Sequence, residues 1–173
     1  DTAAMNTDQF ISEADDLTIV NLDAGTADIT LINANQNGIG LGDTPVPGGL
    51  NITGADLQNV SADTLNLITQ NTGSILVDNI QPGNDDNLNS LNLNAGNNIN
   101  FLNNSSTIND LTATAGNKID LDVSLTTDVA DLIFNSPFDL AANLTAQQNL
   151  TLIGPGTLDG AGITQIIEAV NGT

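Results

Sequence analysis

The sequence predicts an all-β protein: a parallel β-helix, or β-solenoid, of about seven coils with short helical turns at module starts. Three observations lead there. Apolar and polar residues alternate over short stretches, the period of a half-buried strand. The strands recur along the chain at spacings of 19 to 26 residues. The chain also holds 26 Asn and 22 Leu among 173 residues, with only 2% aromatic residues. Leu, Ile and Val suit a stacked column of small aliphatic side chains, and Asn suits side-chain ladders and left-handed corners.

In chain order, the alternating stretches include Leu17-Thr18-Ile19, Ile29-Thr30-Leu31, Leu65-Asn66-Leu67, Leu91-Asn92-Leu93, Ile119-Asp120-Leu121 and Leu150-Thr151-Leu152. Turn dipeptides separate them: Asn-Gly at 37–38, Pro-Gly at 47–48, 82–83 and 155–156, and Asp-Gly at 159–160. One strand family is centred on Ile29, Ile52, Ile75, Ile99, Ile119 and Phe138. A second runs through Leu17, Leu41, Leu65, Leu91, Leu111, Leu132 and Leu152. Two interleaved families with one shared step describe a coil with several strands per turn. Ala95 to Phe101 is echoed twenty residues later by Ala115 to Leu121. The pairs Asn66/Asn92 and Asn97/Asn117 are the expected ladder or corner residues.

A slower repeat lies on top. Thr7 to Leu17 resembles Thr53 to Leu65, and Thr164 to Thr173 is a partial third copy. Each reads as a short helical turn or bent strand capping a coil. The third reads either as the start of a further module in a longer array or as a C-terminal helix. In the helical reading Ile163, Ile166, Ile167 and Val170 face the last coil. Helical repeats of similar period need longer helical stretches than this chain offers, and a β-sandwich would not hold its strands in phase. One domain spans 1–173, either alone or as a segment of a longer array.

Charge excludes more functions than it suggests. Acidic residues number 21 against one basic residue, Lys118, for a net charge of −20. Nucleic acid needs Lys, Arg and stacking rings, and an anionic membrane surface repels such a chain. No apolar run reaches the length of a membrane span. Without His or Cys there is no Ser-His-Asp triad, thiol nucleophile or usual zinc site. High net charge with few aromatics is also a signature of disorder. Here 39% hydrophobic and 13% charged residues, regularly spaced, favour a folded chain.

The run Ile39-Gly40-Leu41-Gly42, Leu50-Asn51-Ile52-Thr53, Ala55-Asp56-Leu57, Ala62-Asp63-Thr64-Leu65 and Gly73-Ser74-Ile75-Leu76-Val77 resembles a repeat module of bacterial filamentous-haemagglutinin-type proteins. The resemblance covers 7–160 in style and 39–80 in motif. It implies a right-handed β-helix, export, an extracellular or cell-surface setting, and adhesion or scaffolding. It implies no catalytic residues. The family's N-terminal secretion domain has no counterpart here, and a single basic residue departs from its pattern.

No residue is assigned a catalytic, cofactor-binding or metal-ligating role. Asp85-Asp86 lies in an oxygen-rich turn that reads as solvated, with surface calcium the alternative. Its spacing fits neither an EF-hand nor the calcium-binding nonapeptide. Asp120 and Asp122 alternate on one outward face, a carboxylate pair linked to glycoside hydrolysis only by analogy. Sequons fall at Asn51, Asn59, Asn103, Asn104, Asn143, Asn149 and Asn171. In a chain this rich in Asn, Ser and Thr, they read as chance. Thr112-Ala113-Thr114 and Thr126-Thr127 hint at a flat Thr face for ice, but are not expected to recur in register. The chain is therefore expected to be a non-enzymatic, extracellular β-solenoid rod of a large surface adhesin. Its expected partners are neighbouring coils, copies of itself end to end, or a host-cell, cell-wall or polysaccharide ligand. The alternative is a self-assembling filament, matrix or S-layer-type subunit; a polysaccharide-acting enzyme is the distant third.

Overall fold

The computed structural model describes residues 2–3, 6–158 and 166–172. The chain enters through β1 (Thr2–Ala3), β2 (Gln9–Glu13), β3 (Leu22–Asp23), β4 (Ile29–Asn33), β5 (Ile39–Gly42) and β6 (Leu50–Ile52). The helix α1 (Gly54–Leu57) follows, then β7 (Val60–Thr69), β8 (Ile75–Asp78), β9 (Leu88–Ala95) and β10 (Ile99–Phe101). The remaining strands are β11 (Ser106–Ile108), β12 (Leu111–Ala115), β13 (Ile119–Leu121), β14 (Leu125–Thr127) and β15 (Leu132–Phe134). After them come β16 (Phe138–Leu140), β17 (Leu144–Ala146), β18 (Leu150–Leu152), β19 (Gly156–Leu158) and β20 (Ile167–Ala169).

These strands form parallel stacked sheets, consistent with a β-solenoid. In the first sheet, β2, β4, β7, β9, β12, β15 and β18 stack as a continuous parallel run. The second sheet runs β6-β5-β8-β10-β13-β16-β19, and the third β11-β14-β17-β20. From Ser106 onward the chain visits all three sheets in turn before returning to the first.

Alternation sets the burial. In β12 Leu111, Ala113 and Ala115 are buried while Thr112 and Thr114 are half-buried on the outer side. The inward residues join one core cluster that runs from Ile19 to Ala146. Phe101 of the second sheet stacks on Phe134 of the first, with ring centroids 6.1 Å apart, and both are fully buried. Buried hydroxyls serve the backbone where the chain turns. Ser136 Oγ donates to Ala115 O at 2.9 Å and accepts from Ala115 N at 2.7 Å. Thr69 Oγ1 donates to Gly73 O at 2.7 Å and accepts from Gly96 N at 3.0 Å. These bonds remove the cost of burying unpaired polar groups.

The strand families need correcting. Ile75, Ile99, Ile119 and Phe138 are direct partners as expected, as are Leu65, Leu91, Leu111 and Leu132. Ile29 belongs to the other family, paired with Leu65. Leu41 and Ile52 pair with each other in the second sheet. Leu150, not Leu152, continues the Leu132 column, and Leu17 lies outside any strand.

Among the described residues, only the second module start is helical. Thr53 caps α1: its Oγ1 accepts from Asp56 N at 3.1 Å, and Asp56 Oδ2 accepts from Thr53 N at 3.0 Å. The first start, expected as a helical turn or bent strand, is the strand β2, held in five-residue register with β4. In the third, Thr164, Gln165 and Thr173 lie outside the described residues, as do Ile163 and the Asp-Gly pair at 159–160. Ile167 to Ala169 form a strand against Leu144 to Ala146 rather than a helix. Pro155-Gly156 does not close a turn but leads into β19. No helix among the described residues is long and apolar enough to cross a membrane.

Candidate functional site

The stacking places equivalent side chains above one another, so the outward faces are columns. On the first sheet Thr30, Asn66, Asn92 and Thr112 stand in one register. Asn92 Nδ2 donates to Asn66 Oδ1 at 3.0 Å, the expected ladder bond. Asn66, Asn92 and Thr112, with Ile68, Asn94 and Thr114, line an outer depression. The Asn97/Asn117 pair is joined through the backbone, Asn117 N to Asn97 O at 2.9 Å. The Asn117 side chain goes instead to Asn98 Oδ1 at 2.8 Å. A constant step explains the echo between 95–101 and 115–121: Ala95 pairs with Ala115, and a Cβ on Gly116 would collide with Gly96 O.

A Thr column does recur in register, contrary to expectation. Thr107, Thr126 and Thr145 are successive partners on the third sheet, followed by Glu168. Thr127 points inward, fully buried, and Thr112 and Thr114 stack on Asn92 and Asn94. The third sheet escapes a reading of alternation because Ser106, Thr127 and Ala146 fill inward positions of β11, β14 and β17, leaving one large aliphatic side chain per strand. The 19-residue step from Thr107 to Thr126 to Thr145 is the signal that marks it.

On the second sheet Asp120 and Asp139 are register partners, so two like charges stand one above the other. Lys118 Nζ lies 2.8 Å from Asp120 Oδ2 and 3.6 Å from Asp139 Oδ2. The hydrogen bond to Asp120 holds the ammonium above its ordinary pKa, against a small opposing effect of burial. Asp139 also accepts from Thr157 Oγ1 at 2.6 Å. Asp122 is exposed just past the strand. Asp120 is thus a partner in an ion pair, and Asp122 lies past the end of the strand rather than beside Asp120 along it.

Six of the seven sequon amides are used inside the fold. Asn51 Nδ2 donates to Val46 O and Gly49 O, both at 3.3 Å. Asn59 Nδ2 donates to Ile19 O at 2.9 Å, and Asn149 Nδ2 to Asp131 Oδ1 at 3.0 Å. Asn103 and Asn104 both donate to Asp78, at 3.2 and 3.0 Å. Asn143 Oδ1 accepts from Ile166 N at 2.9 Å, and Asn171 is exposed.

Asp78 carries no sequence signal of its own, yet it is the most heavily bonded carboxylate described. It is 3% exposed and accepts from Thr44 Oγ1 at 2.6 Å, Asn103 Nδ2 at 3.2 Å, and Asn104 N and Nδ2 at 3.0 Å each. Burial alone would raise its pKa; the hydrogen bonds together outweigh that and hold it below the ordinary carboxylate range.

Asp85 is the opposite case. The solvated turn expected at Asp85-Asp86 buries Asp85 to 2% exposure. Its Oδ2 accepts from Asn109 N at 2.8 Å, but Oδ1 meets no hydrogen-bond partner among the described residues. Burial pushes its pKa up, opposed by backbone N–H bonds and reinforced by the charges of Asp128 and Asp86. Among the described residues no group of three or more acidic side chains is arranged to hold a metal ion. No known protein family, curated protein or solved structure matches the chain.

Proposed function

We propose that the chain is a right-handed parallel β-solenoid of about seven coils that acts as a structural, non-enzymatic rod. The carrying observation is the first sheet, where in-register parallel pairing continues without a break from β2 to β18. A stack of this kind resists bending because each strand is hydrogen-bonded to the next along the axis. Its sides present repeating polar columns, which suit reach and multipoint contact. The resemblance to filamentous-haemagglutinin-type modules supports an extracellular, adhesive setting, with a host-cell, cell-wall or polysaccharide surface as the ligand. The acidic surface favours solubility and leaves calcium bridging between rods as a surface effect.

A second reading is end-to-end self-assembly. It is favoured by β18, β19 and β20, each with a single sheet neighbour among the described residues, and by the exposed Leu158, Ile166 and Val170 around them. Negative-stain microscopy with sedimentation, with and without millimolar calcium, separates the two. Monomers in both conditions support the adhesin segment, and filaments support the assembling subunit. Depolymerisation of a polysaccharide by the purified chain would overturn both.

A further inference from the structure

The third sheet begins on the stretch 80–85. Thr107 N donates to Ile80 O at 2.8 Å and Ser106 Oγ accepts from Ile80 N at 3.2 Å. One residue beyond β11, Asn109 N donates to Asp85 Oδ2 at 2.8 Å and Asn109 Nδ2 to Asp85 O at 3.0 Å. The next turn stacks on the same spot, because Asn109 O accepts from Val129 N at 3.3 Å and Ala130 N at 2.9 Å. Asp85 is therefore the base of a three-tier corner: its own turn, the Asn109 turn and the 128–130 turn.

That base is chemically unsettled. A buried carboxylate is stabilised as an anion when several donors converge on it, as at Asp78. Asp85 has Oδ1 buried and unpartnered, and its charged neighbours across the corner are Asp86 in its own turn and Asp128 in the third tier. Both are anions. The single cation of the chain, Lys118, is engaged with Asp120 and Asp139 on the second sheet. A proton on Asp85 removes the buried charge and its repulsion from Asp86 and Asp128. It weakens the Asn109 N–H bond to Oδ2, which favours the anion, but burial and the two neighbouring anions outweigh that bond, and the Asn109 side-chain bond to Asp85 O is untouched.

We propose that Asp85 is a proton-operated latch on the third sheet: neutral, it seats Asn109 and closes the corner, and ionised, it loosens it. The latch acts locally and does not depend on whether the rod serves adhesion or assembly. The direction follows from linkage. A carboxyl that holds its proton more tightly in the folded state gives its full contribution in acid. That contribution is lost as pH rises through its folded pKa.

The test is an NMR titration of the Asp carboxyl carbons in the whole chain, with amide hydrogen exchange at Asn109 followed over the same pH range. Asp85 is expected to titrate after the exposed aspartates as pH rises. The Asn109 protection factor, corrected for intrinsic exchange, should fall across that same titration. In Asp85→Asn the protection should stay flat, and Asp128→Asn should move the wild-type fall to lower pH. Titration of Asp85 among the exposed aspartates, or constant Asn109 protection through its titration, overturns the latch. If Asp85→Asn fails to fold, the two wild-type measurements still decide the matter.

Discussion

Asp78 and Asp85 are both almost fully buried, and the donors around them set their chemistry apart. Asp78 organises Thr44, Asn103 and Asn104, which reach it from other turns of the chain. Replacing it with Ala leaves their polar groups unpaired, with an expected loss of about 3 kcal/mol in chemical denaturation. The pH dependence has a definite sign. The Asp78 contribution is complete above the ordinary carboxylate range and is lost as pH falls through its depressed folded pKa. The stability gap between wild type and Asp78→Asn should therefore close on acidification; a gap that widens in acid contradicts the assignment. Lys118 is a smaller matter, because the pair is partly exposed. Lys118→Met should cost about 1 kcal/mol or less, and less again in high salt. Neither buried carboxylate role is legible in sequence. Asp78 closes a strand as other polar residues do, and its importance comes from Thr44 and Asn103 arriving from elsewhere.

At the scale of elements, the two main sheets meet through their inward columns. Phe101 and Phe134 are the largest fully buried side chains and stack across the interior. Phe134→Ala should cost about 3–5 kcal/mol in denaturation, since the rigid stack leaves a cavity. Gly42 marks a different constraint: its φ is +98°, and a Cβ there would collide with Asp78 O. Elements with a regular step are readable, such as Ile75 to Phe138, because each corner between them has nearly the same length. Ile52 misleads because 43–49 lets the chain double back, so that β6 pairs with β5 from the outer side. Ile29 misleads because alternation marks a strand without naming its sheet. Leu152 stands in for Leu150 because a period of two cannot fix register to within two residues. Residues 9–13 carry a helix-like apolar spacing, but pairing with β4 satisfies their backbone and prevails.

At the scale of the whole molecule, the account rests on the first and second sheets advancing by one strand per circuit from β7 onward, and the third from β11. Overall dimensions test this poorly. Seven strands at about 4.8 Å span about 35 Å, close to the diameter of any compact protein of this size. The absence of native cysteine makes register trapping clean. Double cysteine variants at 66/92, 100/120 and 126/145 sample the first, second and third sheets at direct partners. Such partners lie about 4.8 Å apart, within disulfide reach, whereas 66/112 spans two steps at about 9.6 Å and lies outside it. The decisive measurement is oxidation of these four folded variants, read as intramolecular cross-link by gel mobility and mass. The account predicts cross-links at 66/92, 100/120 and 126/145 and none at 66/112. Free thiols at the three partner pairs, or a 66/112 bridge formed as readily as they are, would contradict it.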